Sequence, residues 1–241
     1  MKEVKTGLLV LLLFVALFFL ASNTVQADPV GPDSVVFESN TTKNTTSTYM
    51  LNVSGGRVVI FNMTSDSQNN HWKAFIGRVS GSFTLDDAGG STVYDWSLGS
   101  IGGEVYATRN SSTINWNNLS CATISNMESE NAKMSHTSPQ DNITATFDDT
   151  THDEFFVATV NISLDSCSTL NTYVANATQD TSFEEVALYE YTGGNMVYAT
   201  ILEENAYGYD NRTYDFQMIV PEVASPGWSG ATAYYLYVEI S

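Results

Sequence analysis

Glu185-Val186-Ala187-Leu188-Tyr189-Glu190-Tyr191-Thr192-Gly193-Gly194-Asn195-Met196-Val197-Tyr198-Ala199-Thr200-Ile201-Leu202-Glu203 decides the fold class of this chain. β-Branched and aromatic residues fill two runs, Glu185–Tyr191 and Met196–Glu203, with paired glycines between them. Glycine takes positive φ without steric cost, so Tyr191-Thr192-Gly193-Gly194 marks a tight reversal between two strands. Asp87-Ala88-Gly89-Gly90 leads into Thr92–Leu98 in the same way. Gly89-Gly90-x-x-Val93-Tyr94-x-x-x-Leu98 matches Gly193-Gly194-x-x-Val197-Tyr198-x-x-x-Leu202, either as two related modules or as two hairpins sharing turn chemistry.

Outward from this stretch, helical periodicity is nearly absent. Short β-prone runs alternate with clusters of Gly, Asn, Asp and Ser, the pattern of an all-β chain. Strands are expected at Ser34–Glu38, Tyr49–Val53, Arg57–Met63, His71–Val79, Ser82–Leu85, Thr92–Leu98 and Glu104–Thr108. Further strands are expected at Ile143–Phe147, Glu154–Ile162, Thr172–Val174, Glu185–Tyr191, Met196–Glu203, Thr213–Ile219 and Ala233–Ile240. Asn115–Cys121 suits a short helix or turn, and polar Ser125–Asp141 a long surface loop. The fold expected is an all-β sandwich, jelly-roll or immunoglobulin-like, in one large domain over residues 28–241.

The amino terminus suggests an address. Lys2 and Lys5 precede an apolar run from Leu8 to Ala21, and Val25-Gln26-Ala27 supplies a small-residue cleavage site. Residues 1–27 therefore form a cleavable secretory signal, the run being short for a membrane span. A retained anchor and a prepilin-type cut after Gly7 are the alternatives. No span is expected in the mature form. Ten Asn-X-Ser/Thr triplets agree, at Asn40, Asn44, Asn52, Asn62, Asn110, Asn118, Asn142, Asn161, Asn176 and Asn211. Composition alone would give about four, and the triplet is useful only where glycans are attached, outside the cytoplasm.

The net charge of −18 repels nucleic acid and anionic lipid, which sets aside DNA and RNA as partners. The two cysteines, Cys121 and Cys167, form either a disulfide or a pair of free thiols. In an exported chain the bridge is expected, and a loop of this length would gain roughly 4 kcal/mol from it.

Catalytic signals are sparse. The histidines are His71, His136 and His152, without metal-binding spacing, and no Gly-X-Ser-X-Gly elbow occurs. Asp148, Asp149, Asp153 and Glu154 crowd beside His152 and are weak candidates for Ca²⁺, but lack EF-hand spacing. A solvated acidic turn is the competing reading, and no cofactor is expected. Trp72, Trp96, Trp116 and Trp228 serve either core packing or stacking on sugar rings.

The stretch Trp72-Lys73-Ala74-Phe75-Ile76-Gly77-Arg78-Val79-Ser80-Gly81, with Leu85-Asp86-Asp87-Ala88, Tyr94-Asp95-Trp96 and Gly103-Glu104-Val105-Tyr106-Ala107, resembles secreted archaeal surface or envelope proteins. Phe183-Glu184-Glu185-Val186, Tyr214 to Glu222 and Tyr234 to Glu239 extend the likeness over most of the exported chain. The resemblance implies an extracellular or envelope protein, akin to β-rich subunits of archaeal filaments, and brings no catalytic residues.

The function expected is thus a secreted, N-glycosylated surface protein, not an enzyme, that self-associates into a filament or layer. Val35, Val36 and Phe37, after Pro32, are the candidate strand to be added to a neighbour's sheet; pairing within its own sheet is the alternative. An adhesin or carbohydrate-binding module and a secreted hydrolase are the other classes.

Overall fold

A computed structural model describes residues 28–44, 48–110 and 113–241. The signal expected over residues 1–27 lies outside the described residues. Among the described residues no helix is long and apolar enough to cross a membrane.

The strands are β1 (Trp72–Gly77), β2 (Ser82–Asp86), β3 (Thr92–Ser97), β4 (Gly103–Thr108), β5 (Leu119–Cys121), β6 (Phe155–Val157) and β7 (Val160–Ile162). There follow β8 (Thr169–Asn171), β9 (Glu184–Glu190), β10 (Asn195–Ile201), β11 (Ala206–Tyr207), β12 (Thr213–Tyr214), β13 (Phe216–Pro221) and β14 (Tyr235–Ile240). Among the described residues two α-helices, α1 (Ile124–Met134) and α2 (Ile143–Thr146), and a 3-10 turn at Trp116–Asn118 interrupt them. Every strand pair is antiparallel, and the all-β expectation holds.

The glycine hairpin lies at the centre. β9 and β10 pair from Glu185↔Thr200 to Glu190↔Asn195, and the central sheet runs β14-β4-β10-β9, with β5 and β8 sharing the outer edge of β9. Glu190 stabilises the turn, its carboxylate accepting from the N–H groups of Thr192 and Gly193 at 2.7 Å each. Gly194 adopts φ +73, and a Cβ on Gly193 would press on Glu190 Oε2 at 2.7 Å. The backbone requires glycine at Gly194, while a side chain at Gly193 would push aside the Glu190 carboxylate that holds the turn.

Alternation assigns the two faces. Val105, Ala107, Ala187, Met196 and Tyr198 share one core with Met218 and Val220 of β13 and with Met127, Ile143 and Phe147. Tyr106, Val186, Leu188, Val197 and Ala199 share the other with Trp116 and with Phe155, Val157 and Ile162 of β6 and β7. The β1–β13 ribbon and α1 therefore cover one face, and the β6–β7 hairpin the other. This layering is a central sheet with smaller covers, not two comparable sheets. Strands buried on both faces read as continuous apolar runs, which is how β9 and β10 look in sequence.

Several expected elements are corrected. Ser125–Asp141 is no loop: α1 occupies most of it, capped by a reciprocal box between Thr123 and Asn126, with Met127, Glu130, Asn131 and Met134 on its buried face. Ile143–Phe147 is helical, because Asn142 accepts the Ala145 N–H at 2.8 Å and starts a turn. Glu154–Ile162 breaks into β6 and β7 at Ala158, which takes φ +50. Strand Thr172–Val174 is displaced to β8.

The largest correction concerns residues 31–70. Ser34–Glu38, Tyr49–Val53 and Arg57–Met63 form no strand, and every described residue in this strap is exposed. The strap is fastened at Val30, which exchanges two backbone hydrogen bonds with Val238 of β14 at 3.0 and 2.8 Å. Two β-prone runs about the Gly55-Gly56 turn, with no third strand or covering face among the described residues, are too little for a stable sheet in water.

Candidate functional site

Exposed large apolar side chains are scattered over the domain, at Ile124, Leu164, Tyr207 and Trp228 among others, but they follow one another closely in two places, the strap and the β2–β3 ribbon. In the strap, Val35, Val36 and Phe37 are exposed, as are Tyr49, Met50 and Leu51 and the run from Val58 to Phe61. Pairing within the parent sheet is therefore not the fate of Val35–Phe37 in this chain.

The ribbon β2–β3 is a sheet of two strands by itself. The register Phe83↔Trp96 and Leu85↔Tyr94 places those four side chains on one face. They are 41%, 49%, 54% and 59% exposed respectively, and the Tyr94 and Trp96 rings meet edge to face at 4.9 Å. The turn is held by Asp87, whose Oδ1 accepts from Gly89 N at 2.8 Å and Ser91 N at 2.9 Å. Those backbone donors, Ser91 first, hold the Asp87 carboxyl below the usual range.

The two glycine turns thus share one chemistry, an acidic side chain gathering the turn N–H groups. Their surroundings differ: one hairpin is the sheet centre, the other has no cover.

Cys121 and Cys167 form a disulfide, with Cα atoms 5.0 Å apart. It joins the end of β5 to the residues before β8, so it fastens together the two short strands that share the β9 edge. Buried His152 supports it. Its Nδ1 lies 2.6 Å from the Asp153 carbonyl and so donates, while Nε2 accepts from Ser166 N at 3.0 Å and Cys167 N at 3.1 Å. This use of His152 had no local signal in sequence, since its partners lie 14 and 15 residues away.

The acidic segment around His152 is used within the fold. Asp149 accepts from Thr150 N and Thr151 N, and Glu154 from Asn161 Nδ2 at 2.6 Å. Asp148 is exposed, and Asp153 donates its backbone N–H to Glu184. Among the described residues no group of three His, Cys, Asp or Glu side chains is placed to hold a metal ion. His71 meets Asp141 at 3.1 Å, and His136 bonds the Glu222 carbonyl at 2.7 Å.

Two carboxylates do meet, inside the sheet. Glu104 of β4 and Glu239 of β14 are directly paired, both buried, with the Tyr106 hydroxyl 3.3 and 2.9 Å from them. Ala158 N donates to both oxygens of Glu239, at 3.1 and 3.2 Å. Burial, then the neighbouring Glu239, raises the Glu104 carboxyl to about 8. The pair ties the edge strand β14 to β4 and to the β6–β7 turn. A separate cleft of about 150 Å³ is lined by Arg109 and Glu130, which neutralise each other at 2.8 and 2.5 Å.

Of the glycan-acceptor candidates, Asn40, Asn44, Asn52, Asn62, Asn118, Asn161, Asn176 and Asn211 are exposed; Asn110 and Asn142 are half-buried. Asn176 and Asn211 sit at φ +59 and +64 in turns. Trp116 is buried against Tyr106 and Tyr237, while Trp96 and Trp228 are exposed.

No protein family, curated protein or solved structure matches the chain.

Proposed function

We propose that this chain is an exported, N-glycosylated structural protein of the cell surface, a subunit of a filament or envelope layer that assembles by β-strand addition. One observation carries the reading: a strap over residues 31–70 holds strand-length apolar runs that have no strand partner among the described residues, joined to a disulfide-bonded domain. Val35–Phe37 is one of those runs. Exposed apolar chain is an aggregation hazard unless a defined partner covers it. Backbone hydrogen bonds from an added strand supply affinity, and alternate side chains supply specificity. Four acceptor sites, Asn40, Asn44, Asn52 and Asn62, lie in the strap and favour an extracellular setting in which glycans limit unwanted pairing.

Deleting residues 31–68 tests the proposal. The expected product is a folded, disulfide-bonded monomer that no longer assembles, seen by electron microscopy and light scattering. Unaltered filaments or layers from the deletion variant, or a wild-type protein that stays monomeric at every concentration, would sink it.

A carbohydrate-binding role is favoured by one feature, the exposed Tyr94–Trp96 pair. Selective hits on a glycan array, lost in Trp96→Ala, would support that role.

A further inference from the structure

We propose that the β2–β3 ribbon of one copy receives the Arg57–Met63 run of a second copy as its third strand. The inference rests on the assembly reading above and names its two contacting surfaces.

The ribbon lacks what the run supplies. Two strands alone are marginal in water, and three with an apolar face are not. The outer edges of β2 and β3 have no strand partner among the described residues. Arg57–Met63, seven residues with Val59, Phe61 and Met63 exposed at 45%, 56% and 84%, is long enough to run the length of β2 or β3, which have five and six.

Charge selects among the three unpaired runs. The ribbon carries Asp86, Asp87 and Asp95, all exposed, with no Lys or Arg. Ser34–Glu38 follows Asp33 and ends on Glu38, so it would meet like charge; Tyr49–Val53 has none. Arg57–Met63 brings Arg57, one of nine basic residues in a chain of net −18. Exposed charges are worth little affinity each, but they reject wrong partners and fix register.

Side-chain alternation allows a glycan as well. Val59, Phe61 and Met63 share one face of an extended run, and Val58, Ile60 and Asn62 the other. With Phe61 added to the Phe83, Leu85, Tyr94 and Trp96 face, Asn62 points away from the apolar contact.

The occupant is a second copy because, within its own chain, the run lies exposed outside any strand and the ribbon edges have no strand partner among the described residues. A contact between two different surfaces of the same molecule is heterologous, and repeated head to tail without closing it grows an open chain.

Complementation tests this with the full exported protein. Val59→Ser with Phe61→Ser removes the donor; Tyr94→Ser with Trp96→Ser removes the acceptor. Each variant alone is expected to be a folded monomer, and an equimolar mixture a one-to-one dimer that grows no further. Every substituted side chain is exposed, so the core remains, which near-ultraviolet circular dichroism verifies. Arg57→Glu, which leaves the apolar contacts in place, is expected to raise the critical assembly concentration severalfold at low salt and less at high salt. The proposal is overturned if either double variant assembles like wild type, or if the mixture stays monomeric. Outer-edge amides of β2 or β3, which do not bond within the ribbon, protected from exchange in a wild-type monomer would place the chain's own strap there and overturn it too. Loss of assembly on deleting residues 31–68, with normal assembly of the Tyr94/Trp96 variant, would reject this contact and leave the assembly reading standing.

Discussion

Glu104 is an acid whose folded environment prefers it uncharged. The unfolded chain releases its proton near 4.5, whereas burial and Glu239 raise the folded value to about 8. Between those values the folded state holds the extra proton, so stability falls as pH rises from about 4.5 to about 8 and levels above. Fully buried Glu185, pushed well above its usual range by burial, contributes with the same sign. Glu104→Gln keeps the shape and cannot ionise. At pH 8.5 it is expected to be more stable than wild type by about 2 kcal/mol, well under what a shift this large would give if Glu104 titrated alone. At pH 4.5 the two are expected to be nearly equal. Urea unfolding across the range decides it: parallel stability profiles for the two proteins would show that Glu104 is not the titrating group. Nothing about this pair was legible in sequence. Its partners come from β4, β14 and the β6–β7 turn, and only the register Glu104↔Glu239 brings them together.

At the scale of elements, legibility followed the number of faces an element buries. β9, β10 and β4 are covered on both sides, so their apolar runs and glycine turn identified them. α1 was missed because its buried face mixes Met127 and Met134 with Glu130 and Asn131, and polar core residues hide the helical period. Glu130 is buried there because Arg109 pairs with it, a contact 21 residues away in sequence. The capping box was present at Thr123, with Asn126 in place of the usual Glu or Gln. Since Thr123 Oγ1 accepts the Asn126 N–H at 3.2 Å, Thr123→Ala is expected to cost about 1 kcal/mol. Thermal or chemical denaturation measures it, and Thr123→Ser should recover most of the loss. The strap was misread in the opposite sense. Arg57–Met63 has strand composition, but propensity reports fitness for a pleated surface and supplies no partner.

For the whole molecule, the division between strap and domain makes a prediction about protease access. Lys43 and Arg57 lie in exposed chain outside any helix or strand, although Lys43 Nζ reaches the Asp66 carbonyl at 2.7 Å. In the domain, Lys73 pairs with Glu222 at 2.9 Å, and Arg109 is bonded to Glu130. Cleavage needs several residues of backbone to leave their hydrogen bonds, which the strap does not require and the sheet does. Brief trypsin treatment of deglycosylated monomer should therefore cut after Lys43 and Arg57 first, leaving a fragment from Val58 onward. The core that begins at β1 should keep its disulfide and its unfolding midpoint nearly unchanged, because among the described residues the part of the strap before Val58 meets the sheet through the Val30–Val238 bridge, and Asn69, bonded to Asp141, stays with the core. In assembled material the Arg57 cut should slow at least tenfold, since an added strand shields its backbone, while the Lys43 cut should slow less. Mass spectrometry of the timed digest reads both sites in one experiment. Equal rates at Arg57 in monomer and assembly would mean that this run stays free when copies join. Early cuts within β9 or β10 would mean that the division between strap and domain is drawn in the wrong place.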